Sequence, residues 1–366
     1  MSYISNEVKS IISRLSVDNT QQPIFFGAPL GLQRYDNPKY QKLANYFNNQ
    51  LVMYWRPEEI TLTKDASDFK TLTAHEQKIF THNLGFQILL DSVQSRGISH
   101  LLEYCSNSEV EIFCKVWEFF ETIHSYSYTY IIKNIYPNPT IVLDELARNE
   151  AILSRMTGVT KYYDEMISTF ENGTTEKDRK KALYLNLVSI QILEAVRFYV
   201  SFACSYYFAK CGKMIGNAEI IGLINRDENI HLGFTKDLIN ILKKNPDEGF
   251  IEIIEECEPI VQKMWADAGE EEMKWADFLF EDGDLVGLTA NDLKNYMKYL
   301  VNQRMRLLGS KPIYEKTQNP IIWVEKFTNK KNKQNAPQEN ENTQYLTGAL
   351  NVNTLGNLSD MDLGDL

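Results

Sequence analysis

The sequence predicts an all-α protein built on a four-helix bundle, with further helices around it, and three observations carry that prediction. Period-two alternation of apolar and polar residues is nearly absent over the 366 residues. Long stretches with helical spacing follow one another, divided by short breaks rich in Pro, Gly and Asn. Four of those stretches are almost free of charge, yet each keeps a carboxylate near its middle.

In chain order, residues 1–39 read as an N-terminal arm. The first 25 residues are mixed and polar, and PIFFGAPLGLQRYDNPKY (23–40) places Pro and Gly between short apolar pieces, as an irregular packed segment does. Residues 40–327 form the helical domain, interrupted at RPEEI (56–60), YPNPT (136–140), NGTT (172–175), KCGKMIGN (210–217), NPDEG (245–249) and EDGDLVGLT (281–289). Residues 328–366 form a polar tail with the composition of a disordered segment. Its last part, from Asn340, holds Glu341, Asp360, Asp362 and Asp365 and no Lys or Arg.

Charge and cysteine usage exclude several classes. With 49 acidic and 38 basic residues the formal charge is −11, and no basic stripe precedes the short KNKQN run near position 330, which argues against a nonspecific nucleic-acid binder. Cys105, Cys114, Cys204, Cys211 and Cys257 form no CxxC pair, which removes zinc fingers. Their odd number and the lack of a secretory start favour a reducing compartment, the cytoplasm. Residues 182–209 are long and apolar enough to raise the question of a membrane span, but Glu194 and Arg197 fall at their middle. A helix apolar all round in a soluble protein is a central one, surrounded by other helices.

What neutralises the buried acids is then the central question, because an ionised carboxylate without a partner costs more than the net stability of a typical domain. Between Ile79 and Ser95 the ionisable groups are His82 and Asp91. From Phe119 to Ile132, tyrosines aside, they are Glu121 and His124; the central helix has Glu194; and NAEIIGLINRDENIHLGF (217–234) clusters Asp227, Glu228 and His231. Glu121 with His124 and Glu228 with His231 are Glu-x-x-His pairs, and residues three apart lie about 60° apart on one helix face. Two such pairs plus two lone carboxylates are the pattern of a dinuclear iron or manganese site inside a four-helix bundle. Carboxylate and imidazole donors without thiolate suit those metals. Four carboxylates carry four negative charges, and two ferric ions with one bridging oxide carry four positive ones, so the loaded cluster is close to neutral.

The same periodicity names neighbours of the site. Asp227 is placed either to accept a hydrogen bond from the His124 imidazole across the bundle or to pair with Arg226 at the surface. Tyr128, one turn after His124 and two after Glu121, faces the metals, whereas Tyr126 and Tyr130 point away; spacing alone does not separate a reactive tyrosine from a packed one. Phe198 and Phe202 follow Glu194 by one and two turns, and Ile224 precedes Glu228 by one turn. They form either a dry pocket beside the cluster or plain core. His75, His82 and His100 have no such acidic company.

The segments FFGAPLGLQRYD, YWRPEEI, LLDS, WEFFETIHSYSYTYIIKNI, LEAVRFYVSFACS, INRDENIHL and NPIIWVEKF, which cover most of residues 23–327, resemble the radical-generating small subunit of aerobic class I ribonucleotide reductases. The resemblance implies a ferritin-like fold, a homodimer, and two iron ions per chain, oxo-bridged and diferric when oxidised, held by Asp91, Glu121, His124, Glu194, Glu228 and His231. It implies that Tyr128 is the stable radical and that Phe198, Phe202 and Ile224 form the pocket around it. Trp55, hydrogen-bonded through Asp227 to His124, would pass an electron from an external donor during activation and then carry the radical. Tyr345 in the tail would hand it to the large subunit, which reduces ribonucleotides. The ending LSDMDLGDL alternates Leu or Met with acids and would dock on that subunit. Tyr128, Asp91 and the chain length favour the diiron type over relatives that lack the tyrosine, while manganese remains open because O and N donors do not choose between neighbouring metals. The rival readings are a related ferritin-like diiron oxidase or hydroxylase, which needs none of Trp55, Tyr128 and Tyr345, and a metal-storage bundle.

Overall fold

The computed structural model describes residues 12–13, 18–172 and 174–328. Among the described residues there is no β-strand, only the isolated bridges Phe25↔Cys105 and Leu285↔Leu288. The helices run α1 Gln41–Leu51, α2 Thr63–Phe69, α3 Ala74–Gly97, α4 Ser99–Leu102, α5 Ser108–Ile135, α6 Pro139–Leu146, α7 Glu150–Glu171, α8 Glu176–Ile192, α9 Tyr199–Lys210, α10 Ile215–Lys244, α11 Ile251–Leu279, α12 Ala290–Leu307 and α13 Glu325–Thr328. Tyr345 and the docking tail lie outside the described residues.

Local chemistry sets the starts of the helices that matter. Thr73 and Glu76 form a reciprocal capping box at α3, as Thr175 and Asp178 do at α8, so two orphan N–H donors at each end are satisfied. Asn107 accepts from the Val110 N–H at the head of α5. Helix α10 has no cap of its own, since Met214 sits before it at φ 53° without a side-chain bond. Asp65, buried on α2, supplies it instead by accepting from the Gly216 N–H at 3.1 Å and the Asn217 N–H at 2.6 Å. Position 216 has to be glycine for this approach, because a Cβ there would come 2.7 Å from the Thr61 carbonyl.

The bundle consists of α3, α5, the α8–α9 run and α10. Helix α3 packs on α5 and α9, α5 on α10, and α10 on α8 and α9, while α7, α11 and α12 cover the outside. The run Glu176–Lys210 is apolar and long enough to cross a membrane, but 94% of its most apolar window is buried inside the protein. It is therefore the central helix expected from its composition. It is not uniform: residues Leu193–Arg197 form a π-helical turn, with α8 before and α9 after it.

The arm is irregular and packed. Ile24 and Phe25 are buried, the Ser106 N–H donates to the Ile24 carbonyl and the Phe26 N–H to the Tyr104 carbonyl. Glu248, in the NPDEG break, is the arm's main anchor. It accepts from the Ile24 N–H at 2.6 Å, from Lys39 Nζ at 2.6 Å and from the Tyr40 hydroxyl at 2.5 Å.

Candidate metal centre

All six sequence-predicted ligands meet in the middle of the bundle and all are buried. They fall into two overlapping groups, Asp91, Glu121, His124 and Glu228, then Glu121, Glu194, Glu228 and His231, with the donor atoms of each group within 4.8 Å of one another. Glu121 and Glu228 belong to both, and their oxygens divide between the histidines. Glu121 places Oε2 at 3.5 Å from His124 Nδ1 and Oε1 at 3.0 Å from His231 Nδ1. Glu228 places Oε1 at 3.1 Å from His124 Nδ1 and Oε2 at 2.9 Å from His231 Nδ1. Asp91 joins the His124 side, and Glu194 the His231 side, at 4.0 Å.

Hydrogen bonds within the protein leave this cluster incomplete. Both oxygens of Asp91 and Glu194 Oε2 are buried without a well-formed hydrogen bond, and Glu121 Oε2, Glu228 Oε1 and His124 Nδ1 face only one another, at 3.1 to 3.5 Å. Buried donors and acceptors are seldom left so, and six in one place, all oxygen or imidazole nitrogen, fit metal cations. Electrostatics agree. Burial, then the charge of Glu121, pushes the Asp91 carboxyl well up; burial, then the charge of Glu228, does the same to Glu194. Glu228 is pushed up to about 8 by burial and by Glu121. Glu121 goes the other way: burial raises it, but hydrogen bonds from His124 and His231 prevail and hold it low. Protons on the raised carboxyls would compete with a cation for the same oxygens.

The Trp55 indole donates to Asp227 Oδ2 at 2.7 Å, and His124 Nε2 meets that same oxygen at 3.1 Å. Arg226 also reaches Asp227, at Oδ1 and 3.2 Å, but Asp227 is fully buried, so this is not the surface pair the sequence offered. Tyr128 is buried, and burial, then the charges of Asp91 and Glu228, pushes its hydroxyl well up. Phe198 and Phe202 stack on each other with centroids 5.4 Å apart, and they and Ile224 are fully buried. Tyr126 points outward to Glu58, at 2.7 Å. His75, His82 and His100 bond to the Gly283 carbonyl, the Lys78 carbonyl and Glu103.

Three features of the site escape sequence reasoning. Trp117 donates its indole N–H to Glu121 Oε1 at 2.7 Å and lies against the His231 ring, centroids 5.0 Å apart; its place four residues before Glu121 is a signal that was there to use. Gln94, three residues after Asp91, donates to Glu194 Oε1 and accepts from the Tyr163 hydroxyl. Arg197, in the π turn with Glu194, pairs instead with Glu271 at 2.6 Å, and beneath it Arg155 pairs with buried Glu272.

The family model described as "Ribonucleotide reductase, small chain" matches residues 33–320. The chain is 40% identical over 372 residues to the ribonucleoside-diphosphate reductase 1 subunit beta of Escherichia coli O157:H7, covering 97% of each. It belongs to the ribonucleotide reductase small-chain family. A second small chain, the ribonucleoside-diphosphate reductase subunit beta of Enterobacteria phage T4, is 36% identical, with 94% of this chain and 96% of that one covered. The ribonucleotide reductase R2 subunit from Clostridium botulinum superposes with a TM-score of 0.77 at 28% identity, covering 87% of this chain and 98% of that one. The fold is accordingly the ferritin-like one of these small subunits, and the protein is the ribonucleoside-diphosphate reductase small subunit, an oxidoreductase component that works with a large subunit. Its buried carboxylate and histidine groups are able to hold a metal.

Proposed function

We propose that the cluster holds two iron ions, one on the Asp91 and His124 side and one on the Glu194 and His231 side, and that Tyr128 beside it is the site of a stable radical. The observation that carries this is the division of Glu121 and Glu228, each of which turns one oxygen to each histidine. When bound, the metal pair supplies the oxidising power drawn from dioxygen. Manganese fits the same donors, so the metal in use depends on supply as well as on ligands.

What the chain itself contributes is placement, proton control and exclusion of water. Tyr128 gives up an electron and its phenolic proton, and Asp91 is the carboxylate adjacent to that hydroxyl. Phe198, Phe202 and Ile224 keep polar groups and solvent from the oxidised ring. Trp55 conducts an electron inward from an external donor during activation and carries the radical outward during turnover, with Asp227 holding its indole N–H. Tyr345 completes the route, and the LSDMDLGDL ending docks on the large subunit. In this reading no nucleotide need bind to this chain.

The protein acts as a homodimer in the cytoplasm in this reading. Exposed apolar side chains on and before α5 support the dimer: Phe119 and Tyr126 are half exposed, and Tyr54 stacks on Phe119 with centroids 6.1 Å apart. The test of function is optical and paramagnetic resonance spectroscopy after adding Fe(II) and oxygen. The expected result is a tyrosyl radical that Tyr128→Phe abolishes while iron content stays unchanged. Full iron loading with no radical under varied reductant would leave the oxidase reading in its place.

A further inference from the structure

Glu194 differs from the other five candidate ligands in the backbone that carries it. It sits in the π turn Leu193–Arg197, whereas Asp91, Glu121, His124, Glu228 and His231 sit in regular α-helix. A π turn interrupts the regular i→i−4 ladder, and such turns are frequent at functional sites. Its neighbour Arg197 does not steady it, since that guanidinium is turned to Glu271. Something else has to decide which oxygen of Glu194 faces the centre.

Gln94 is placed to do so. It is fully buried on α3, its Nε2 donates to Glu194 Oε1, and Glu194 Oε2 is left without a hydrogen-bond partner and is the oxygen nearest His231 Nδ1. The amide cannot turn over without loss, because a flipped Gln94 would set its carbonyl against a carboxylate. Tyr163, reaching in from α7, fixes that orientation by donating its hydroxyl to Gln94 Oε1. Its ring in turn lies so close to α3 that a Cβ at Gly97 would overlap it. Gly97 is therefore the residue that lets Tyr163 reach Gln94.

We propose that Gln94 and Tyr163 are positioning residues for the Glu194 and His231 half of the metal centre. Gln94 occupies one oxygen of Glu194, reserves the other for a cation, and takes its own orientation from Tyr163. This rests on the two-metal reading above. Hydrogen-bonding partners of ligands elsewhere are worth about 10- to 100-fold in metal affinity, so Gln94→Leu, which keeps the volume and removes both bonds, should weaken one of two ions by that factor and leave the other unchanged. Tyr163→Phe should act in the same direction and less strongly, because it removes the orienting bond and keeps the ring. Gly97→Ala should reproduce it by displacing the ring.

The experiment is anaerobic titration of the full chain with Mn(II) followed by paramagnetic resonance, with circular dichroism to confirm helix content. At a concentration that gives the parent the broad spectrum of two coupled ions, Gln94→Leu should show the resolved hyperfine pattern of an isolated Mn(II). A merely structural role would weaken both ions together. If the parent couples two ions and Gln94→Leu couples them at the same concentration, or loses both equally, the positioning role is overturned and the two-metal reading stands. If the parent takes up fewer than two ions, that reading falls and this one with it.

Discussion

Trp55 and His124 are joined through a single atom. The indole N–H and the imidazole Nε2 both bond to Oδ2 of Asp227, at 2.7 and 3.1 Å, and the two rings lie nearly parallel, 26° apart. The other ring nitrogen, Nδ1, faces Glu121 and Glu228. A tryptophan, a carboxylate and a candidate metal ligand thus form one continuous hydrogen-bonded path into the cluster.

Breaking the middle of that path should separate its two duties. Asp227→Ala leaves two buried N–H groups unpaired and frees the His124 ring to rotate, so metal affinity on the His124 side should fall about 10- to 100-fold. Trp55→Phe leaves the Asp227 bond to His124 in place and should keep metal affinity within about twofold of the parent. Its defect should appear in slower radical formation and in lost nucleotide reduction with the large subunit. Metal titration and a turnover assay on the two variants check this; normal turnover by Trp55→Phe would remove Trp55 from the route.

Metal uptake should depend steeply on pH, with a definite sign. In the metal-free cluster Glu228 is pushed up to about 8 by burial and Glu121, and Asp91 and Glu194 are also raised. His124 is raised too: burial opposes its charge, but Glu228 and Asp227 prevail. Protons on these raised groups compete with a cation for the same atoms. Affinity should therefore rise from about pH 6 to about pH 8, by about tenfold per pH unit for each proton released. Calorimetric titration in buffers of different ionisation enthalpy counts those protons, and uptake without proton release would contradict the assignment.

A third expectation concerns stability rather than chemistry. Arg155 is buried, pairs with fully buried Glu272, and lays its guanidinium over the Phe86 ring at 3.4 Å and the Trp275 ring at 4.5 Å. Burial pushes Glu272 up to about 7 and Arg155 down to about 10, so desolvation outweighs the attraction between them. Removing one partner leaves a buried charge, and Glu272→Ala should cost about 3–5 kcal/mol in denaturant unfolding. Replacing both, as Arg155→Met with Glu272→Leu, should recover most of that loss. A double variant as unstable as the single one would mean that the pair is strongly favourable in itself.

How much of this was legible in the sequence follows from the range over which each signal acts. A lone acid in an apolar run, or a Glu and a His three apart, is visible in a window of a few residues, and it named all six groups that the structure brings together. Contacts between distant elements leave no such trace. Tyr163 belongs to an ordinary amphipathic helix, and nothing local says that its hydroxyl reaches Gln94. Nothing local marks Arg155 and Glu272 as a buried pair, and Glu248 lies in the NPDEG break, although both acids are buried. The π turn was hidden for another reason: residues 182–209 are apolar on every side, so an extra residue in the turn shifts no pattern.

The tail offers the test that separates docking from radical transfer. Residues 328–366 combine a polar composition, Tyr345 and an ending of alternating Leu or Met and acids, and the proposed role of that ending is to dock on the large subunit. If the ending supplies the binding and Tyr345 the transfer, the two functions lie at different places in one strand of sequence. Tyr345→Phe should then bind the large subunit as the parent does, form the Tyr128 radical normally, and fail in nucleotide reduction. Deleting LSDMDLGDL should weaken binding while leaving the radical intact, and reduction should return when the large subunit is raised in concentration. Binding measured by sedimentation and radical content by paramagnetic resonance decide it; a Tyr345→Phe protein with full turnover would show that the radical leaves this chain by another residue.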